Sequence, residues 1–538
     1  MRIAQYKWRT AERDHVEDLL AQVNLQEHIN LFYFCDAVVL CYRIYVKLIM
    51  FVRKLPYIIY RAYPTAGYLT DNRNFGYDTA TKSCTKVGDL LLSHEGSIFY
   101  SFLKEEYQNV DEIACDLQKV FEGVDYEVLR EDAVAFYNEL SKRGFIVCDT
   151  EKRDKFQLSS YFSYENTKPF LLDLQSESCA NFNNFSNEYN LSRIHIDISS
   201  HCNENCVHCY IPSRNKCSMM SEEIFDRVLE QCVSMKVLNI TLSGGEPMLN
   251  PYLKSFLLKC RDANFSVNIL SNLICLSDEL LELIRSNPLI SIQTSLYAMN
   301  EDIHDAVTRK KGSYKKTLSA IRKLHECNIP MQINCPIMKL NHHCYHEVLD
   351  FAQSLNIEAS SDYSLFGCYD KSEGNLECRI STCDVLEILD KDCQDENKLK
   401  EILQSIESKK VNNTDPICSV CKSSLCISNN GDVYPCEGWQ RMILGNIMIS
   451  SLQYIWDESP LTKHLRELKY QDFLECSICQ NRKYCTTCLI MNANENKGDY
   501  MIVNPYMCEL ANVKRSVIEQ IQNKSSLRII STDDLSND

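Results

Sequence analysis

Three absences narrow this sequence before any motif is read. It has no excess of basic charge: 57 Lys and Arg stand against 73 Asp and Glu, a net charge of −16. That excludes the broad basic face that nucleic-acid phosphates require and leaves room only for a local basic groove. It has no apolar run of the roughly 18 residues needed to span a bilayer. Residues 31–60 are aliphatic and aromatic, but Asp36, Arg43, Lys47, Arg53 and Lys54 interrupt them. We read an amphipathic helix there, with Arg43, Lys47 and Lys54 on one face, packed on the body or on a partner. Attachment to a membrane surface is the alternative. The opening MRIAQYKWRTAERDH is charged and lacks the apolar stretch and cleavage site of a secretory leader. A reducing, cytoplasmic setting is therefore expected. Neither a solenoid-type repeat nor a low-complexity segment is present.

What is abundant is cysteine, 29 in 538 residues. A chain of this length predicts roughly three to four domains, too large for a small disulfide scaffold, so the thiols are available for metal. An amphipathic segment at 1–67 precedes a small α/β unit at 68–150. In that unit Asp89–Ser93 reads as strand, three helices follow, Gly144 caps the last, and strand resumes at Phe145. The order resembles a winged helix. A polar linker covers 151–190. From 191 to 370 strands and helices alternate, with strand signals near 193–199, 238–242, 266–271, 290–296, 331–337 and 358–364. Six β-then-α units imply a parallel sheet, open or curled into a partial (β/α)6 TIM-like barrel. A helical connector at 371–409, a cysteine-rich domain at 410–515 and a tail at 516–538 complete the chain. In the cysteine-rich part the apolar periodicity weakens, so metal rather than a large apolar core is expected to hold it together.

The first cysteine constellation follows the first strand of the alternating region: Cys202-Asn-Glu-Asn-Cys206-Val-His-Cys209-Tyr210. Three cysteines in one loop leave one iron of a four-iron cluster without a protein ligand, which suits a cluster that binds a chelating molecule. The loop stands at the carboxyl end of a βα array, where such folds place chemistry. After the next strand comes Gly244-Gly245-Glu246-Pro247, whose adjacent glycines let a ligand approach the backbone. The combination resembles the radical S-adenosylmethionine (SAM) superfamily. The resemblance implies that Cys202, Cys206 and Cys209 hold a [4Fe-4S] cluster and that Tyr210 lies near the adenine of SAM. Gly244, Gly245, Glu246 and Pro247 would cradle its methionine part, with Asn272, Ser295 and Arg309 as further candidate contacts.

The second constellation is Cys418, Cys421 and Cys436, then Cys476-x2-Cys479-x5-Cys485-x2-Cys488, then Cys508. Two C-x2-C pairs suit a structural zinc site, although zinc accounts for four cysteines more naturally than for eight. The array, with Val433-Tyr-Pro-Cys436, resembles the SPASM domain of peptide-modifying radical SAM enzymes, which holds two auxiliary [4Fe-4S] clusters. The last gap is two residues where three is commoner, a departure that bears on Cys488. The likeness implies one cluster on Cys418, Cys421, Cys436 and Cys488, and a second on Cys476, Cys479, Cys485 and Cys508. Cys426 reads as a buried strand residue. Glu437, after Cys436, occupies the place of a basic aspartate in sulfatase-maturing relatives and is the candidate catalytic residue. An exposed structural carboxylate is the alternative.

A winged helix ordinarily suggests DNA binding. Here the candidate recognition helix carries Glu131, Asp132 and Glu139 against Lys142 and Arg143, a poor face for phosphate. With Leu91-Leu-Ser-His-Glu-Gly96 and Arg143-Gly-Phe-Ile146, the region resembles the leader-recognition element of ribosomal peptide maturases. Such elements bind an extended leader as an added strand. The resemblance as a whole implies a sactisynthase-like enzyme that installs thioether cross-links in a ribosomally made peptide through a 5′-deoxyadenosyl radical. Its expected partners are a precursor peptide with a leader and an external electron donor such as flavodoxin or ferredoxin, with no nucleic acid. Carbon–carbon cross-linking and anaerobic sulfatase maturation are the enzymatic alternatives. An iron–sulfur electron carrier or redox regulator is the non-enzymatic one, though such a protein has no use for a SAM cradle.

Overall fold

The computed structural model describes residues 49–77, 87–152 and 189–533, apart from 213, 214 and 216. The linker expected at 153–188 and residues 1–48 lie outside the described residues. Six short strands come first: β1 (Phe51–Lys54), β2 (Ile58–Tyr63), β3 (Ala66–Asp71), β4 (Asp89–Ser93), β5 (Gln108–Asn109) and β6 (Ile146–Asp149). The stretch read as a helix is thus, from Phe51 to Tyr60, two short strands joined by a turn at Pro56-Tyr57. Pro56 explains the difference, since it biases Leu55 toward extended backbone and cannot sit inside a helix. The remainder of that stretch, with Arg43 and Lys47, lies outside the described residues.

The chain divides into two compact units, and the division falls inside the expected winged-helix region. The smaller comprises 49–55 and 99–152. Its sheet has the order β5-β1-β6, with Val52 opposite Cys148. Helices Val110–Gln118 and Tyr126–Lys142, capped by the side chains of Asn109 and Asp125, bury Ile113, Leu117, Ala133 and Tyr137.

The larger unit comprises 56–98 and 189–533. Its main sheet contains β7 (Arg193–Ser199), β8 (Asn239–Gly244), β9 (Ser266–Leu270), β10 (Ile290–Ser295), β11 (Met331–Pro336), β12 (Glu358–Asp362), β13 (Ser424–Ile427), β14 (Asp432–Tyr434) and β15 (Gly445–Asn446). The order is β12-β11-β10-β9-β8-β7-β13-β14-β15. Strands β7 to β12 are parallel to their neighbours, and helices connect each to the next. β13 joins the edge of β7 in parallel, and β14 and β15 continue antiparallel. The cysteine-rich region is therefore an extension of the same sheet. Its Ile417, Leu425, Val433, Trp439, Ile447, Trp456 and Leu489 share one buried core with Ile194, Ile240 and Val267. The expectation that metal replaces an apolar core here is overturned, because each such side chain contributes about 1.5–3 kcal/mol on burial.

A second sheet, β2-β3-β4, belongs to this unit. Ile59, Tyr68 and Phe75 form a cluster with Leu238 and Leu289, the residues just before β8 and β10. Arg61 is buried with its guanidinium over Phe265 and donates to the carbonyls of Val237 (2.8 Å) and Asn264 (3.0 Å). Asn268 donates to the Phe75 carbonyl at 2.9 Å, and Tyr77 to Gln293 at 2.8 Å. The segment 72–77 therefore starts at the amino-terminal ends of β8 and β10 and reaches Asn268 and Gln293 within β9 and β10.

Candidate active site

Ile194, Ile196 and Ile198 fill the core behind β7, and the alternation turns His195, Asp197 and Ser199 to the other face. The strand runs directly into the cysteine loop. Two backbone bonds pin that loop, from Asn205 to the Thr308 carbonyl (3.1 Å) and from Val207 to the Val307 carbonyl (2.9 Å). Cys202, Cys206 and Cys209 are half-buried within it and electrostatically coupled. Burial pushes the Cys206 thiol well above its usual range, and Glu204 with the other two cysteines pushes it further. Three thiolates this close repel one another unless a positive centre sits among them.

β8 ends in the two glycines. Gly244 has φ +121°, and a Cβ there would lie 1.9 Å from the Ser199 carbonyl oxygen; one on Gly245 would lie 2.4 Å from that of His201. Only glycine lets these backbones meet. The Gly245 and Glu246 amides donate to Ser199 (2.6 Å) and His201 (2.8 Å), welding the turn to the cysteine loop. Glu246 is fully buried. Its carboxylate accepts from Ser271 (2.7 Å), the Met248 amide (2.9 Å) and the Asn272 amide (2.8 Å). Burial raises its pKa and these donors oppose the rise, so Glu246 is a brace between β8 and β9. Pro247 opens the buried turn that follows. Asn272 reaches back to Asn203 of the cysteine loop at 2.6 Å. Ser295 ends β10 beside Tyr297, which also neighbours Cys206. Arg309 caps helix Glu301–Thr308 in the left-handed region, φ 52°, and is exposed.

The C-terminal cysteines gather in two sets. Cys436 is coupled to Cys488 and Cys418, and Cys418 in turn to Cys421. Cys476 is coupled to Cys485, Cys508 and Cys479. Burial pushes Cys421 and Cys476 up to about 12 and Cys488 to about 11. Each set offers four sulfurs, as a cubane iron–sulfur cluster requires. Every described cysteine is a free thiol.

Tyr210, after the first loop, and Glu437, in the Cys436 turn, lie close enough to interact electrostatically. Glu437 is not exposed: burial opposes its charge, but His195 and Cys436 hold its carboxyl below the usual range. Sequence reasoning missed His195, Asp197, Gln440 and the segment around Phe366. The signal for the first two was present in β7, where isoleucine at alternate positions already assigns His195 and Asp197 to the opposite face. Phe366 packs on Tyr210, and Asn494 donates to the carbonyls of Gly367 (2.8 Å) and Gly438 (3.2 Å). This segment ties the cysteine loop to the turn after Cys436.

Comparison with known proteins agrees with this geometry. Residues 196–352 match the radical SAM superfamily, and residues 418–489 match the SPASM iron–sulfur cluster-binding domain. The AdoMet-dependent heme synthase of Methanosarcina barkeri is 25% identical over 58% of this chain and 94% of its own length. The subtilosin biosynthesis protein AlbA of Bacillus subtilis is 24% identical over 56% of this chain and 68% of its own. Among solved structures, Streptococcus suis SuiB bound to its precursor peptide SuiA superposes with a TM-score of 0.52 at 15% identity, covering 85% of this chain and 99% of that one. The last likeness shows the fold. The chain carries a radical SAM domain, which uses a [4Fe-4S] cluster and SAM, and a SPASM domain, which binds auxiliary iron–sulfur clusters.

Proposed function

For a radical SAM enzyme with a SPASM domain, we propose that the reaction is the modification of a ribosomally made peptide, with a thioether cross-link as product. The observation that carries this reading is that the Cys202–Cys209 loop and the Cys436 turn are tied to each other, Tyr210 packing on Phe366 and Asn494 bonding both Gly367 and Gly438. Among the relatives are AlbA, a biosynthesis protein of the bacteriocin subtilosin, and SkfB, a sporulation killing factor maturation protein 30% identical over 147 residues and 36% of its length, both of Bacillus subtilis. Their similarity supports the same substrate class here.

In this reading Cys202, Cys206 and Cys209 hold the SAM-binding cluster. Cys418, Cys421, Cys436 and Cys488 hold the nearer auxiliary cluster, and Cys476, Cys479, Cys485 and Cys508 the farther. Bound there, the first cluster and SAM supply a 5′-deoxyadenosyl radical that removes a hydrogen atom from the peptide. The chain's own residues position the reactants. Gly244 and Gly245 bring backbone against the methionine part of SAM, Glu246 keeps that turn rigid, and Pro247 fixes its exit. Asn272 and Ser295 stand at the ends of β9 and β10, Tyr210 lies on the adenine side, and Arg309 is the outermost candidate contact. Glu437, buried beside Cys436, is the candidate for taking a proton from the substrate. In this reading the parallel strands form a partial (β/α)6 barrel, and of the winged-helix region expected at 68–150 it is the part in the β2-β3-β4 sheet of the larger unit that recognises a leader. Among the described residues β4 is paired on one side only, and with Leu91 42% exposed its other edge suits an added peptide strand. No described helix is long and apolar enough to cross a membrane. The free thiols accord with a cytoplasmic location and an external donor such as flavodoxin or ferredoxin.

Mass spectrometry of a precursor peptide co-expressed with the enzyme tests the reading. Each thioether should lighten the peptide by about two mass units and remove one thiol from alkylation. A two-unit loss with every thiol still alkylatable would favour a carbon–carbon link. An unmodified peptide would sink the reading.

A further inference from the structure

β13 runs parallel to β7 with Cys426 in register with His195. His195 Nε2 lies 3.1 Å from Asp197 Oδ1, and the donor atoms of His195, Asp197 and Cys426 all fall within 4.8 Å of one another. Asp197 and Cys426 are 4% and 1% exposed, and His195 is half-buried. The Gln440 amide donates to the second oxygen of Asp197 and fixes the plane of the carboxylate. Glu437 adds another negative charge nearby. Burial works against a charge on His195, yet Asp197 and Glu437 hold its pKa above the ordinary value. A carboxylate and a thiol beside one imidazole make a donor set that favours a cation.

We propose that His195, Asp197 and Cys426 form a binding site for a single zinc ion, separate from the three groups of cluster cysteines. One nitrogen, one oxygen and one sulfur donor suit zinc and disfavour magnesium or calcium, which take oxygen alone. Zinc bond lengths of about 2.0–2.3 Å imply donor separations of roughly 3.3–3.8 Å in a tetrahedron. The pocket reaches that spacing by side-chain adjustments of an ångström or so. Gln440 supplies the outer hydrogen bond that metal-binding carboxylates normally have. Three protein donors leave a fourth position open, the arrangement of a zinc that meets a reactant rather than one that only holds a fold. Cys426 belongs to neither auxiliary set, and burial, Asp197 and Glu437 push its thiol well above its usual range. A metal ion would deprotonate it directly.

The test uses the full-length protein with its clusters reconstituted, dialysed against micromolar zinc and then against buffer. Metal content is read by mass spectrometry, and coordination by X-ray absorption at the zinc edge. About one zinc per chain is expected, with a single sulfur and light donors in the first shell. Cys426→Ser and His195→Gln should lose that zinc at unchanged iron content. Asp197→Asn, which keeps the shape and an oxygen to accept from Gln440, should weaken retention at least about tenfold, since neutral amides are poor zinc ligands. A four-sulfur shell would mean zinc in a cluster site and would overturn the proposal. So would zinc that persists in Cys426→Ser, or none retained by the wild type. None of these readouts depends on peptide modification, so the zinc site and the proposed function stand or fall separately.

Discussion

Phe366 and Gly438 are in contact that leaves no room for a side chain: a Cβ on Gly438 would lie 2.6 Å from the Phe366 ring. The same ring packs on Tyr210 with centroids 5.0 Å apart. Two residues after Cys436, the backbone thus presses through one aromatic ring onto the residue after Cys209. Gly438→Ala should force that ring aside and cost about 1–3 kcal/mol, as overpacking does. The expected result is a lower unfolding midpoint and slower SAM cleavage, with Phe366→Leu in the same chain restoring much of both. Equal losses in the single and double variants would show that the ring does not transmit the strain.

Removing the first three thiols tests the division of cysteines into sets. A chain with three four-iron clusters holds about twelve irons. Cys202, Cys206 and Cys209 changed together to alanine should leave about two-thirds of them and no SAM cleavage. Cys436→Ala should spare some SAM cleavage and abolish the cross-link. Four irons in the wild type, with zinc filling the C-terminal sets, would refute the auxiliary-cluster assignment.

Much of this was legible in the sequence. Apolar runs and alternation place β7 to β12 within a few residues, because β7 to β11 are largely buried and all six are separated by helices of clear period. The cysteine spacings and the Gly-Gly turn mark the catalytic loop without help from tertiary structure. The pairing of β13 with β7 was not legible, since more than 200 residues separate strands that touch, and with it went the contact between Cys426 and His195. The core of the C-terminal region was hidden for the same reason. Its apolar residues follow no single period because they pack against helices and strands from distant parts of the chain. At 51–60, aliphatic richness outweighed Pro56, which should have decided the matter.

Leader recognition can be tested on the whole protein. Leu91→Lys places a charge on the edge strand β4 and should weaken binding of a fluorescent leader peptide roughly tenfold, about 1.4 kcal/mol. SAM cleavage without peptide should be unchanged. Tighter binding of duplex DNA than of leader, with a steep salt dependence, would point to a regulator instead.

His304 gives a pH dependence of defined sign. It is 1% exposed, its Nδ1 accepts from the Tyr297 amide at 3.3 Å, and burial lowers its pKa from 6.5 to about 4. The folded state therefore favours the neutral ring, and the unfolded chain takes up the proton first. Its contribution is full above pH 6.5 and is lost as the pH falls toward 4, by about 1.4 kcal/mol per unit. Urea unfolding of wild type and His304→Gln across that window should show a steeper acid loss in the wild type. Parallel curves would mean that other groups govern it.

The bonds from Arg61 and Tyr77 into the parallel sheet bear on how such enzymes are recombined. A recognition region is attractive as an exchangeable cassette for redirecting an enzyme to a new peptide. In this chain a cassette cut at residue 68 would leave Arg61 with the host and carry Phe75 and Tyr77 away with the guest. Each side would then keep half of a fitted joint. Residues 56–77 should stay with the catalytic half in any chimaera, and only their solvent-facing neighbours should be varied.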